Sequence, residues 1–516
     1  PPPPFSSRRR HTRCQIQSRG LGDVYKRQGD LRYVAEAEFA AYADMESSRQ
    51  RERWFKRYLA SQPEGSDAAV VRAEFDALAP PGYFGHRKAF RHNGKYGKWL
   101  LEKPFIVVIN DTAFVHGGLP NFVAEYGLEG VNVGLKNDLG YYVQGIDKLE
   151  DQKVLNPVYR FREVPGLLKE MREAGQVPKK SQNTVQAVID LRQSPINTPI
   201  GPTWYRGTAV CSTLAEGDVL DAAFAKIDAS RVVMGHTSTI TRQIQQRGGG
   251  RSVEIDTGML TDVYGGSGNA LVIEGNKMTV VNQDGRAGLS PVTHPIRVEA
   301  ESISLDDEAL AVVLGEGSLD ELTFEGAPLG RYLVSSGELT VLANFYENPD
   351  DDFAPELAAY RLDRMLRLGM VPVTVQREVE GKPGVLQLHI RGVELVGMMA
   401  RMEAPCTFDK QTSAMRVFDA LIGNFSRTQS TTLYDPKEML LMLVDHGTAF
   451  GTGEDQPGHS LHTGLFVGNQ WQIALRSLDN ETLQEALGDV LDERRLLALQ
   501  RRRDALLDST AAQPSD

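Results

Sequence analysis

Apolar and polar positions alternate in distinct regimes along the chain. Between 31 and 60 the apolar residues Tyr33, Val34, Phe39, Tyr42 and Met45 sit among Ala, Glu and Arg, a spacing that predicts helices. Pro80-Pro81-Gly82 and Asn93-Gly94 are turn signals. After them come the apolar runs 96–101 and 105–109, then Asn110-Asp111 and 112–115, which together predict a hairpin ending at His116. Residues 163–174 read as a helix, 180–203 as a polar, proline-containing surface insertion, and 218–227 as another helix. A short buried strand at 231–234 ends in Gly235-His236, and strands follow at 252–255, 270–273 and 278–281, the last two around the turn Glu274-Gly275-Asn276. This order predicts a mixed α/β sandwich.

Near Pro291 the pattern changes, and 291–324 is acidic with Ser and Gly, as an interdomain linker would be. The second domain, expected over 325–505, opens with strands at 332–334 and 339–345. A helix is predicted at 355–368, a strand at 385–390, and helices from Asn480 onward. The arginines of the last helix, Arg494, Arg495, Arg501, Arg502 and Arg503, alternate with Asp and Glu and predict a solvated face, and 506–516 is expected to be a disordered tail. No internal repeat is visible.

Composition sharpens the picture. At 516 residues the chain is too long for one core, and 41% hydrophobic with 24% charged residues is ordinary globular usage. Cys14, Cys211 and Cys406 lie far apart, so neither a disulfide framework nor a zinc site can be read from them. No apolar run approaches the roughly 18–20 residues of a membrane span. A net charge of -11 speaks against a general nucleic-acid binder, because such affinity comes from basic residues displacing phosphate counterions. Residues 1–28 hold seven Lys or Arg and one Asp, so the remainder carries -17. That opening stretch has no periodicity and no apolar core of a secretory signal. A disordered basic arm is one reading; a stretch resembling translated adapter or vector DNA, foreign to the fold, is the expectation here. In that case the native N-terminus is missing, and localisation cannot be read.

Two histidines each follow a short apolar strand and are flanked by glycine: Phe114-Val115-His116-Gly117-Gly118 and Met234-Gly235-His236-Thr237. Strand ends fix the side chains, glycines let the loop approach a ligand, and imidazole is a common ligand for divalent transition metals. The alternative is a pair of hydrogen-bonded histidines at a sheet edge. Five stretches, GDLRYVAEAEFAAY at 29–42, GKYGKWLLEKPFIVVINDTAFVHGGL at 94–119, GPTWYRG at 201–207, RVVMGHT at 231–237 and IDTGMLTDVYGG at 255–266, resemble the calcineurin-like metallophosphoesterases, in their Shewanella-like and phosphoprotein-phosphatase branch. The resemblance covers roughly 29–285, within a domain expected over 29–290. It implies a β-sandwich flanked by helices, with His116 and His236 as ligands in a dinuclear centre of Mn, Fe or Zn ions, and Arg206 as the group gripping the substrate phosphate. It also implies three upstream motifs, Gly-Asp-x-His-Gly, Gly-Asp-x-x-Asp-Arg-Gly and Gly-Asn-His-Glu, that this chain lacks. Without their carboxylates the centre is incomplete, and the chain as it stands is expected to be inactive. His86 and His92 pair with no visible base and are expected at the surface.

The second half resembles the HipA-like and lipid-kinase-like branch of the protein-kinase fold, through ELAAYRLDRMLRLGMVPVTV at 356–375, VFDALIGNFSRTQSTTLY at 417–434 and MLVDHGTAFG at 442–451. A kinase needs a phosphate-fixing lysine, a catalytic-loop Asp and Asn, and an Asp for Mg²⁺. The resemblance places Glu356 and Asp445 as the helix glutamate and the Mg²⁺ aspartate. Ser426 stands where the catalytic Asp is expected, Thr431 where the Asn is, and Asn344-Phe345-Tyr346 offers no lysine. The expectation is a kinase-like α+β domain of pseudokinase type, with a Mg-nucleotide as its ligand; a kinase-unrelated α/β domain is the alternative. For the whole chain, the first expectation is a metal-dependent phosphatase acting on phosphoprotein or a small phosphoester. The rival is a non-catalytic protein that senses a nucleotide or partner through the pseudokinase-like domain.

Overall fold

The computed structural model describes residues 34, 36–160, 163–239, 241–259, 261–289, 297–300, 303–305, 307–322, 330–337, 339–347, 354–390, 393–394, 406–435, 440–453 and 465–511. Residues 1–28, expected to be foreign, lie outside these. The chain is mixed α/β and divides into two compact units. One comprises residues up to 209 with 222–237 and 251–256; the other comprises 210–221, 238–250 and 257–516.

In the first unit, helices α1 (Ser48–Ala60), α2 (Ala68–Leu78), α3 (Tyr83–Phe90) and α4 (Lys95–Leu101) precede the hairpin of β1 (Val107–Ile109) and β2 (Thr112–Val115). Asp67 caps α2 by accepting from the N–H groups of Ala69 and Val70, and Phe75 buries the inner face of that helix against Phe55 and Phe84. The run at 96–101 is therefore helical, not part of the hairpin. A long segment, α5 (Asn121–Asp151), is broken at Gly127, whose φ of 67° lies in the left-handed region. Helices α6 (Val164–Glu173) and α7 (Gln182–Leu191) follow. The second of these occupies the expected polar insertion, because Val185 and Val188 repeat at helical spacing and are buried.

The sheet of this unit decides where its histidines go. After α8 (Thr213–Ile227), β3 (Arg231–Met234) lies parallel to β2 with Val115 opposite Met234. Strand β4 (Ser252–Glu254) lies parallel to β3, with Met234 opposite Glu254. The described strands of this unit make a single sheet, so the expected sandwich has no support within it. The strands at 270–288, needed for its second layer, form a separate antiparallel meander that belongs to the other unit.

That meander is β5 (Ala270–Glu274), β6 (Lys277–Asn282) and β7 (Gly285–Gly288). The expected linker contains α9 (Asp307–Glu316) and β8 (Ser318–Glu321), because Leu310, Val313 and Leu314 form an apolar face that packs on the next sheet. β8 begins an antiparallel meander with β9 (Arg331–Ser336) and β10 (Leu339–Glu347). Helix α10 (Ala354–Leu366) then crosses to β11 (Thr374–Val379) and β12 (Lys382–Leu388), and β12 pairs between β10 and β11. The sheet order is β8-β9-β10-β12-β11.

A mainly helical part follows: α11 (Phe408–Ile422), the hairpin β13 (Thr432–Asp435) and β14 (Leu440–Leu443), then α12 (Asn469–Ser477), α13 (Asn480–Leu487) and α14 (Glu493–Ala511). Leu362, Phe418, Leu421, Phe450, Leu475, Leu487 and Leu499 make its core. Helix α14 continues six residues into the expected tail, and its arginine face is not wholly solvated. Arg502 is buried, donating to the carbonyls of Leu421 and Gly451 at 2.9 Å each, and burial lowers its pKa to about 10. Cys211 and Cys406, which spacing could not pair, form a disulfide within this unit.

Candidate functional site

In the first unit, β2 and β3 are adjacent and parallel in register, so the residues just past their ends converge. His116 and His236 meet with Nε2 of the first 3.1 Å from Nδ1 of the second. Gly117 makes room for the neighbouring loop: a Cβ there would lie 2.8 Å or less from the carbonyls of Pro202, Thr203 and Tyr205, and the Gly117 and Gly118 amides both donate to Pro202. This contact places the Trp204 ring edge-on to His236, with Arg206 close enough to disfavour a charge there. Burial first, then His116 and Arg206, push the His236 pKa down to about 2, so it is a neutral imidazole. Its Nε2 is buried with no hydrogen-bond partner among the described residues. The three residues singled out in this half are thus brought together. Among the described residues, however, no group of three or more His, Cys, Asp or Glu could hold a metal ion.

His86 is corrected from a surface position, while His92 stays partly exposed and is corrected only in having a carboxylate partner. His86 is fully buried, stacked on Phe90 and edge-on to Phe39 and Tyr42, with Nε2 3.3 Å from Glu38. His92 takes Asp147 as its base, with Nδ1 at 3.0 Å. The partner carboxylates lie 48 and 55 residues away in sequence, which local reading does not reach.

The second unit holds a more articulated constellation at the end of β14. Glu356, in the first turn of α10, is buried and accepts from the backbone N–H of His446, with its other oxygen 3.2 Å from His446 Nδ1. Gln387 Nε2 lies 3.5 Å from the same carboxylate while donating to Thr374 at 2.9 Å. Burial opposes ionisation of Glu356, yet the bonds and charge of His446 outweigh it, and its pKa is lowered. Holding His446 fixes its neighbour Asp445, an exposed carboxylate with φ of 60°. The phenol of Tyr346, on β10, is pushed up to about 12 by burial and by the negative charges of Glu356 and Asp445. It is therefore a neutral group beside two carboxylates.

The loop after α11 closes the arrangement. Gly423, with φ of 67°, ends the helix, and Asp419 then grips Arg427 at 2.9 and 3.0 Å. Arg427 in turn donates to the carbonyls of Thr431 at 2.7 Å and Val444 at 2.8 Å, tying the loop to the end of β14. Ser426 Oγ lies 2.6 Å from Thr448 Oγ1 and 3.0 Å from Asn424 Oδ1, and Thr431 Oγ1 accepts from the Thr428 N–H. Neither hydroxyl can replace a carboxylate base. His446, Arg427 and Asp419 escaped the sequence reading; the signal available was the adjacency of His446 to Asp445 and of Arg427 to Ser426, whereas Asp419 is joined to them only through Arg427.

No protein-family profile and no curated protein matches the chain. Among solved structures it is similar to a Golgi casein kinase at 14% identity and TM-score 0.28, covering 39% of this chain and 75% of the other. A form of that kinase with Mn/ADP bound matches at 13% identity, TM-score 0.28, with the same coverage. The Helicobacter pylori proinflammatory kinase CtkA matches at 13% and TM-score 0.28, over 39% of this chain and 99% of that one.

These comparisons correct the metallophosphoesterase identification, and with it metal-dependent phosphoester hydrolysis: the structures they return are kinases, not phosphoesterases. A TM-score of 0.28 carries no residue role across. Among the described residues no helix is long and apolar enough to cross a membrane.

Proposed function

We propose that the second unit is a kinase-like binding module that takes a nucleoside phosphate together with a divalent cation and does not transfer the phosphoryl group. One observation carries this reading. The side chains converging on the β14 end supply an accessible carboxylate, Asp445, held by the buried Glu356–His446 pair, while the loop beside it presents the Ser426 hydroxyl where chemistry would need a base. Glu356 is committed to His446, so it positions Asp445 and does not face the ligand.

The residues present fit a cation that arrives with its nucleotide. Mg²⁺ is commonly bound through one or two carboxylates plus substrate phosphates, keeping several waters. Asp445 supplies one such carboxylate, and no resident cage of three ligands exists among the described residues. A bound cation would neutralise phosphate charge that Tyr346, being neutral, leaves unbalanced. Transfer would further require a base and a phosphate clamp, both missing from Ser426, Thr431 and Tyr346.

Thermal unfolding of the protein with millimolar ATP and Mg²⁺ tests this directly. Stabilisation is expected with both together and not with either alone, and Asp445→Asn, which tolerates the left-handed backbone, should abolish it. Absence of any shift, or an equal shift in Asp445→Asn, overturns the reading. Phosphate transfer to casein or to the protein itself at rates above a no-enzyme control would overturn its non-catalytic part.

A further inference from the structure

The Cys211–Cys406 disulfide ends on the same structural line as Asp445. Both sulfurs belong to buried residues. Cys406 lies two residues before the start of α11, and its carbonyl accepts from Nε2 of Gln411 at 2.7 Å. The other end of that amide, Oε1, accepts from the backbone N–H of Leu441 at 2.7 Å. Gln411 is only 2% exposed, so both of these bonds are made away from water, where losing one leaves a desolvated polar group. Leu441 lies in β14, the strand that delivers Asp445 four residues later. A single side chain thus ties the disulfide-bearing turn to the strand that presents the carboxylate.

Across the disulfide, residues 210–221 are docked by groups of the same unit. Glu216 is buried and paired with Lys410 on α11 at 2.5 Å, Leu214 enters the core, and Arg247 donates to the Cys211 carbonyl at 2.9 Å. Asp218 accepts from the Gln470 N–H at 3.0 Å in the first turn of α12, and Asp221 accepts from the Gln470 side chain at 2.5 Å. The sulfurs are reached only when this docking opens, so reduction and release of the segment are linked events.

We propose that the Cys211–Cys406 pair is a thiol–disulfide modification site whose redox state sets the order of the Asp445 strand, and thereby the affinity of the site for a cation–nucleotide complex. The last step rests on the nucleotide-binding reading above. The co-reactant is an external dithiol. One of its thiolates attacks a sulfur of the pair, breaking the S–S bond and forming a mixed disulfide, and the other thiolate displaces it; two electrons pass to the protein, which takes up two protons as thiols, and the dithiol leaves as a disulfide. Reduction frees the Cys406 turn, the Gln411 bridge loosens, and the strand that holds Asp445 samples more states.

The test uses the full chain in a Cys14→Ser background, oxidised and after dithiothreitol, with hydrogen–deuterium exchange of 440–445 as a ligand-free readout and titration with Mg²⁺–ATP as the second. Expected are faster exchange of those amides on reduction, a roughly five- to tenfold weaker affinity, and loss of both redox effects in Gln411→Met, which keeps the disulfide and removes the bridge. Equal exchange in the two redox states, or two free thiols in the oxidised protein by alkylation and mass, overturns the coupling. Faster exchange on reduction with no Mg²⁺–ATP binding in either state upholds the coupling and overturns the nucleotide reading. Binding that is unaffected by reduction overturns the coupling and leaves the nucleotide reading standing.

Discussion

Replacing Glu356 should reveal how much of the second unit is organised around one carboxylate. The residue is 6% exposed and His446 is fully buried, so the two bonds between them are made out of water. Glu356→Ala leaves the His446 backbone N–H and ring nitrogen without their acceptor, and the cost expected for breaking such a buried pair is about 3–5 kcal/mol. Glu356→Gln keeps one acceptor oxygen but loses the charge, so about 1–2 kcal/mol is expected.

The pH dependence follows from the sign of the shift. The folded-state pKa of Glu356 lies below its ordinary 4.5, so its ionised form binds fewer protons when folded than when unfolded near that pH. The resulting stability is fully present above the unfolded pKa and is lost as pH falls below 4.5 through the folded value. Urea unfolding followed by Trp471, buried in this unit's core, in a background where Trp54, Trp99 and Trp204 are Phe, measures both effects. A Glu356→Ala cost under about 1 kcal/mol, or an acid limb in Glu356→Gln as steep as in the parent, would refute the argument.

Other substitutions probe neighbouring pieces. Asp363 is completely buried and accepts from the amides of Gly369, Met370 and Val371 at 3.1, 2.9 and 3.2 Å, so Asp363→Asn sets an amide donor against one of them and should cost about 2–4 kcal/mol in the same Trp471 assay. His86→Ala removes a ring packed on Phe39, Tyr42 and Phe90 and should lower first-unit stability by about 2–4 kcal/mol, measured through Trp54; an unchanged midpoint would return His86 to the surface. Tyr346→Lys puts a cation beside Glu356 and Asp445, and ATP binding that survives chelation of Mg²⁺ is the expected gain; a titration in EDTA showing none would mean that this strand does not face the phosphates.

How much was legible depended on the range of the interaction. Strands such as Arg231–Met234 and the turn at 274–276 were readable because their pattern is complete within a few residues. His116 and His236 were expected to meet at a metal ion; the register Val115 to Met234 brings the two side chains together. The membership of the 270–288 strands was misjudged, since which sheet a strand joins depends on pairing that periodicity does not encode. The same limit hid α9 inside an acidic stretch: the apolar run 309–314 has no helical alternation to separate it from its flanking acids, and the face of Leu310, Val313 and Leu314 is defined only by the neighbouring sheet that buries it. His86 and His92 failed for a related reason, each finding its carboxylate dozens of residues away.

The two halves also differ in what their polar groups are for. In the first unit His116 and His236 share one contact, at 3.1 Å, and burial keeps His236 neutral. In the second unit the buried groups spend their bonds on holding an exposed one. Glu356 holds His446, Asp419 holds Arg427, Arg427 holds the carbonyl of Val444, and Gln411 holds Leu441, all flanking Asp445 on the chain or across the loop. A buried polar group is costly unless its bonding is satisfied, and here much of that satisfied bonding converges on the presentation of one accessible carboxylate in a left-handed backbone conformation. Such convergence is what a ligand site requires of its support. On the proposed binding function, a site with Ser426 in place of a base has reason to remain ordered while transferring nothing.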